Sequence, residues 1–264
     1  MPAKKRQDNI ARVATEFVSA RRSASALVDY PGTMPAALAE AYAMQDAAIA
    51  LADRVIAGWK VGRINPPLEG ADRLAGPIFA DQTFDAGETP RAMTVYAGGF
   101  AAAEAEFLLR IGAAPDPAKT HYTLAEATAL IDRVCVGIEI ASSPFGGIND
   151  HGPGVTISDF GNNNGLVIGP DIADWRDLDL NQWPVELTID GASTGIATAA
   201  TMLDGPFGAA RFLFELMAQR GIALTPGQWI STGAVSGVHQ VEIGAQIAAI
   251  FDDRLMVACS IAAQ

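Results

Sequence analysis

The hydrophobic spacing of this chain changes once, near residue 57, and that change limits what it can fold into. Before it, apolar residues recur at helical intervals. Ile10, Val13, Ala14, Phe17 and Val18 share one face of a helix over residues 8–22, and Leu38, Ala41, Tyr42, Gln45, Ala48, Ile49 and Ala52 continue a second one. Pro35 suits the second start, because first-turn amides lack partners in any case. After the change the period is two. Residues 56–62 and 103–110 read as strands, as do 134–140, where Val134, Val136, Ile138 and Ile140 alternate with smaller or polar residues. Val185, Leu187 and Ile189 run into Asp190-Gly191, a strong hairpin signal, and strands at 246–251 and 255–261 flank the turn Asp252-Asp253-Arg254. Two helices interrupt this body. One opens on the capping box Thr123 to Glu126 and runs to about Arg133; the other spans Pro206 to Arg220 and stops at Gly221. Residues 63–100 are turn-rich and read as loops and short strands. The expectation is an α+β protein, with a helical part over 1–57 and a β-rich body over 58–264 working as one unit.

The chain has 264 residues, room for one large domain. Its 26 glycines and 15 prolines suit many short strands joined by turns and stay below the level of a disordered chain. Eighteen Lys and Arg stand against 30 Asp and Glu, a net charge of -12, which argues against binding a nucleic-acid backbone. Any anionic substrate then needs a metal or a local cationic group. Cys135 and Cys259 lie in Val/Ile-rich runs and read as small buried side chains. The basic opening through Arg6 has no apolar core behind it and does not read as a secretory signal. No run approaches the ~18 apolar residues of a membrane span, so a cytoplasmic protein is expected.

Glu104 and Glu106 are two apart in a strand, so both carboxylates point to one face while Ala103, Ala105 and Phe107 point to the other. Glu139 sits among Val136, Ile138 and Ile140 and by alternation points away from that Val/Ile face. Three such carboxylates brought together would not stay ionised without a cation, and an all-oxygen set favours Mg²⁺ or Mn²⁺. A solvated strand face is the plain alternative for any one of them. Lys60, in Gly58-Trp59-Lys60-Val61-Gly62, is either an edge lysine with its stem on apolar surface or an acid/base and carboxylate-binding group in a cleft, a task Arg63 could share. Asp81 ends an apolar run where a carboxylate is unexpected, though it could cap a turn. Gly161 to Gly165, with Asn162, Asn163 and Asn164, is a polar turn feeding a strand. Ser231-Thr232-Gly233 could bind a carboxylate through hydroxyls and backbone N–H or be an ordinary turn. His121, His151 and His239 have no ligand spacing to one another, and Asn149 to Gly154 reads as a flexible loop that could serve as a lid.

Taken in order, these segments resemble the 2-keto-4-pentenoate hydratase family of the fumarylacetoacetate hydrolase superfamily. The most specific parts are Gly58 to Gly62, Glu104-Ala105-Glu106-Phe107 and Glu139-Ile140. Looser support comes from Ile157-Ser158-Asp159-Phe160 through Gly169, from Leu203-Asp204-Gly205-Pro206 and from Ser231 to Ala234. The resemblance implies a mixed β-roll with a helical N-terminal part, and a Mg²⁺ or Mn²⁺ site of Glu104, Glu106 and Glu139. It implies catalytic roles for Lys60 and Asp81; this chain's own residues add the expectation that Arg63, Asn163, Ser231 and Thr232 meet the substrate. Family members take short 2-oxo or 2-hydroxydienoic acids from aromatic-compound catabolism and are commonly homo-oligomers, which also makes a partner enzyme of the same pathway possible. The implied reaction is addition of water to a carbon–carbon double bond, with Lys60 supplying charge or shuttling a proton and Asp81 orienting or deprotonating the water.

Two departures bear on the substrate. The family usually continues past Gly62 with small and hydroxylic residues, where this chain has Arg63-Ile64-Asn65-Pro66-Pro67, and it usually has alanine and serine where Asn162 to Asn164 stand. The alternatives are a 2-oxo acid decarboxylase of the 4-oxalocrotonate type, a carbon–carbon hydrolase, and a non-catalytic ligand-binding homologue.

Overall fold

A computed structural model describes residues 3–264; Met1 and Pro2, at the head of the basic opening, lie outside the described residues. Two helices open the chain, α1 (Ala3–Ser23) and α2 (Leu38–Ala52). Asp53, in the left-handed conformation at φ 52°, ends α2, and its N–H closes on the Ile49 carbonyl. A long hairpin follows, β1 (Ile56–Leu68) and β2 (Ala71–Phe79), then the short β3 (Thr83–Asp85) and β4 (Arg91–Val95). Next come β5 (Phe100–Ile111), α3 (Leu124–Ala129), β6 (Ile131–Ser143), α4 (Pro153–Ser158) and β7 (Asn163–Asp171). The chain finishes with the hairpin β8 (Val185–Ile189) and β9 (Ala192–Ala197), α5 (Gly205–Arg220), the short β10 (Trp229–Ser231) and β11 (His239–Gln240), and the hairpin β12 (Gln246–Phe251) and β13 (Leu255–Ala263).

The strands form two mixed sheets. One runs β2-β1-β10-β5-β6-β7-β3, with β11 added on β5; the other runs β4-β13-β12-β8-β9. The main core lies between them and under α5. Ala103, Ala105, Phe107 and Leu109 of β5 and Val134, Val136, Ile138 and Ile140 of β6 meet Leu187, Ile247, Phe251 and Val257 of the second sheet and Leu213 and Phe214 of α5. That arrangement is the period-two pattern made physical: the alternate residues of β5 and β6, the glutamates among them, face away from this core. On that other side the helical part closes over the first sheet. Leu38 and Ala41 of α2 pack with Ile64, Leu74 and Ile157, while Ala14 and Val18 of α1 pack with Phe79 and Phe160.

Local signals hold where geometry is local. Asp190 and Gly191 both take positive φ, 51° and 78°, as a tight two-residue hairpin requires. The Thr123 capping box forms in both directions, and Gly221 caps α5 at φ 68°. Two expectations are corrected. Residues 63–79 are not loops: β1 runs on through Arg63, which pairs with Arg73 of β2. The prolines are tolerated because Pro66 and Pro67 fall in the register shift between Arg63 and Leu68, and Pro77 lies on β2, the edge of the sheet, where a missing N–H leaves no ladder bond unmade. The α3 helix also stops at Ala129 rather than near Arg133, because Ile131 and Arg133 pair with Ile111 and Arg110 of β5.

Gly76 is the tightest backbone approach near the lysine strand. A Cβ there would stand 2.1 Å from the Phe160 carbonyl oxygen and 2.8 Å from the Gly161 Cα. Gly76→Ala is expected to lower unfolding free energy by about 2 kcal/mol or more, since the obstacle is backbone on both sides. Denaturant unfolding with an unchanged m-value checks this; wild-type stability would mean that the 160–161 turn yields freely.

Candidate metal centre

The antiparallel register of β5 and β6 sets Glu104 directly opposite Glu139 and Glu106 opposite Gly137. Cross-strand partners point to the same face, so the three carboxylates meet, each offering an oxygen within 4.8 Å of the others. Glu106 and Glu139 are fully buried and Glu104 nearly so. Lys60 arrives from β1, which reaches β5 through β10; its Nζ lies 3.3 Å from Glu139 Oε1, and it too is buried. Space for its stem comes from glycine. Gly76 is its cross-strand partner, and a Cβ on Gly161 would lie 3.2 Å from the lysine Cδ.

Neighbours hold the carboxylates in place. Glu106 Oε2 accepts the Ser231 hydroxyl and, at 2.8 Å, the Gly233 N–H, while Glu139 Oε1 accepts Asn163 Nδ2 at 2.9 Å. Glu106 Oε1 and Glu139 Oε2 are buried without any partner. Two orphaned carboxylate oxygens beside a third carboxylate, with no nitrogen or sulfur donor in the set, fit a hard divalent cation. This is a donor set for Mg²⁺ or Mn²⁺.

The electrostatics agree. Burial pushes the Glu104 carboxyl up to about 7, Lys60 opposing and Glu139 adding to the rise. Burial, then Glu139 and Glu104, raise Glu106 well above the usual carboxylate range. Burial alone would depress the Lys60 ammonium, but Glu139, Glu104 and Glu106 outweigh it and hold the amine protonated above its ordinary value.

A cavity of about 830 Å³ opens beside the cluster, lined among others by Lys60, Glu104, Asn149, Asn162, Thr232 and Gly233. Beside it the β1–β10 ladder ends at Lys60 and Ser231, and Gly233 turns at φ 106°. Arg63 is exposed at this cavity, its Nη1 3.5 Å from the Thr201 carbonyl oxygen.

The residues singled out for substrate divide differently from expectation. The Ser231 hydroxyl and the Asn163 amide nitrogen are engaged by the glutamates, and the Thr232 hydroxyl donates to the Phe107 carbonyl at 2.8 Å. Asn162, one residue earlier, instead lines the cavity with its buried amide oxygen unpartnered. The sequence marks Asn162 to Asn164 together as bearing on the substrate, but three consecutive asparagines carry no local sign of which one turns inward; Asn162 does so, on backbone at φ 65°. Asp81 is a correction. The structure does not bring it to Lys60: it lies on the 3-10 turn after β2, 65% exposed, in a fork with Arg54, and lines a different cavity. Since Lys60 pairs with Gly76 and Ile56 with Phe79, the chain beyond Phe79 heads toward the start of β1, away from the end where the cavity opens.

No family model and no curated protein matches the chain. Solved structures do. A 4-oxalocrotonate decarboxylase from Pseudomonas putida G7, complexed with magnesium and adipate, aligns with a TM-score of 0.78 at 19% identity, over 97% of this chain and 98% of that one. A fumarylpyruvate hydrolase from Pseudomonas aeruginosa, in complex with Mn²⁺ and pyruvate, gives 0.59 at 16%, over 78% and 89%. A 2-hydroxyhepta-2,4-diene-1,7-dioate isomerase from Mycobacterium marinum gives 0.57 at 17%, over 80% and 77%. The chain shares its fold with the fumarylacetoacetate hydrolase superfamily.

Metal and protons compete for these carboxylates, and that fixes a sign. Without metal, the raised carboxyls keep protons that an unfolded chain would release, so stability is expected to fall as pH rises from about 4.5 to about 7. Mg²⁺ affinity is expected to rise over the same interval, and the thermal shift on adding Mg²⁺ to grow with it. Thermal melts with and without metal across that range test both. Glu106→Gln keeps the shape and removes a charge; a metal-induced shift that survives it undiminished would show that the cation binds elsewhere.

Proposed function

We propose that this chain is a cytoplasmic, Mg²⁺- or Mn²⁺-dependent lyase that hydrates a short 2-hydroxydienoic or 2-oxoalkenoic acid, as 2-keto-4-pentenoate hydratases do. The observation that carries the reading is the buried carboxylate cluster with two unpartnered oxygens, standing beside a cationic Lys60 on a cavity large enough for a small acid. A divalent ion held by Glu104, Glu106 and Glu139 would supply Lewis acidity toward the carboxylate and 2-oxygen of such a substrate.

The rest falls to the chain. Lys60 as an ammonium stabilises negative charge growing on the substrate's 2-oxygen. Neutralising the three carboxylates removes what holds its proton, and burial then favours the neutral amine. Lys60 can therefore shuttle: the amine takes a proton from water as the hydroxyl bonds to the distal alkene carbon, and the ammonium returns it to the carbon beside the carbonyl. Asn162 presents an unpartnered amide oxygen to a substrate hydroxyl, and Arg63 at the cavity offers a guanidinium to a distal polar or anionic group. We read the two sheets as the mixed roll of this family and the working form as a homo-oligomer, a point for light scattering in solution.

A second reading is favoured by one observation. The decarboxylase neighbour aligns over almost the full length of both chains and holds a dicarboxylate, adipate. Decarboxylation of a dicarboxylic 2-oxo acid would use the same cluster and would give Arg63 its carboxylate.

A panel of 2-hydroxydienoic and 2-oxo acids, assayed with Mg²⁺ for loss of diene absorbance and for release of carbon dioxide, separates the readings. The expected result is water addition without carbon dioxide; carbon dioxide from a dicarboxylate would establish the second reading, and no turnover of any member would leave a ligand-binding protein. Lys60→Ala is expected to lower kcat by roughly 100-fold or more while leaving metal affinity largely intact. Asp81→Asn, remote and exposed, should stay within about threefold of wild type; a loss equal to that of Lys60→Ala would return Asp81 to the mechanism.

A further inference from the structure

A buried polar network begins on the first helix and ends on the candidate centre. Arg21, on the last turn of α1, is buried. Its guanidinium forks onto Asp159, Nε to Oδ1 at 2.6 Å and Nη2 to Oδ2 at 2.9 Å. Its remaining donors reach the Asn163 carbonyl at 3.1 Å, Asn164 Oδ1 at 3.2 Å, the Ser142 carbonyl at 3.1 Å and the Asp159 carbonyl at 3.4 Å. Ser143 Oγ donates to Asp159 Oδ2 at 2.6 Å. The Phe160 and Tyr96 rings lie 5.0 and 5.5 Å from the guanidinium carbon.

What this network clamps is unusual backbone. Phe160, Gly161 and Asn162 are three successive residues with positive φ, 54°, 65° and 65°. Two carry side chains, so the run persists only because its surroundings impose it. Arg21 grips both ends: Asp159 just before the run, Asn163 and Asn164 just after it. Between and beside those ends the chain lies against β2, the lysine stem, the cavity and Glu139. The Phe160 carbonyl and Gly161 close on Gly76, Gly161 packs on the Lys60 stem, Asn162 faces the cavity, and Asn163 holds Glu139.

We propose that Arg21 is a positioning residue for the carboxylate–lysine centre. By fixing both ends of the left-handed run 160–162 it sets where Asn163 meets Glu139. The helical N-terminal part is thus a working component of the centre. The inference rests on the metal-binding part of the proposed function and is independent of the reaction that follows.

The test is a double-mutant cycle read by calorimetric titration of Mg²⁺ into the metal-free full chain, with no substrate present. Arg21→Lys keeps the charge and loses the fork; Asn163→Ala removes the contact to Glu139. Each is expected to weaken Mg²⁺ binding about 10- to 100-fold, as loss of outer supports does. The double variant should bind no more weakly than the weaker single one, because both act through Glu139. Multiplying losses, or wild-type affinity in Arg21→Lys, overturn the proposal. Should Arg21→Lys fail to fold, Ser143→Ala takes its place in the same cycle, trimming only one anchor of Asp159; a smaller, non-multiplying loss supports the proposal, and no loss or a multiplying one overturns it. Absence of Mg²⁺ binding by the unsubstituted chain removes the metal centre itself, an outcome distinct from a failed cycle.

Discussion

Three carboxylates on one dry face of a β-sheet are the constraint to which the rest of the molecule answers. Burying a single ionised carboxylate costs several kcal/mol, and three within contact repel as well. The fold meets this with a lysine at 3.3 Å, with a hydroxyl and a backbone N–H on Glu106, and with an amide on Glu139, yet it leaves two oxygens unmatched. A cluster built for stability alone would be completed by the chain or replaced by hydrocarbon. One that is incomplete and opens on a cavity is stored capacity for a cation.

The two faces of β5 and β6 carry separate burdens. The face bearing Ala105, Phe107 and Ile138 is ordinary core, packed against the second sheet and α5. The face bearing the glutamates needs a roof that is polar at its centre and apolar around it. The segment from α4 to β7 supplies that roof, its backbone pressed so close to Gly76 that no side chain fits between, and α1 and α2 hold it down. Stability and chemistry therefore share strands but not surfaces, and residues beside each other in sequence serve opposite sides.

Much of this was legible in the order of residues. Alternation along β5 and β6 is a local property, so the common direction of Glu104 and Glu106, and that of Glu139 away from the Val/Ile face, followed from position alone. So did the turn at Asp190-Gly191 and the cap at Thr123, whose geometry is settled within a few residues. The β1–β2 hairpin was not legible, because prolines signal an ending to any local reading and only the neighbouring strands reveal that the ladder bonds they break are not needed. Asp81 looked placed for chemistry because it follows an apolar strand; the antiparallel register carries it the other way, to Arg54.

The remaining division lies between local and distant contacts. The sequence by itself determined which side chains share a face and hence which chemistry a meeting of them would allow. Only the tertiary structure decided that they meet, that Asn162 rather than Asn163 faces the cavity, and that Arg21 and Asp159, 138 residues apart, form one ion pair. The reason is physical: side-chain direction along a strand is set by the residue's own backbone, whereas the buried Arg21–Asp159 pair and the three-residue left-handed run it brackets hold only when separate segments are packed together.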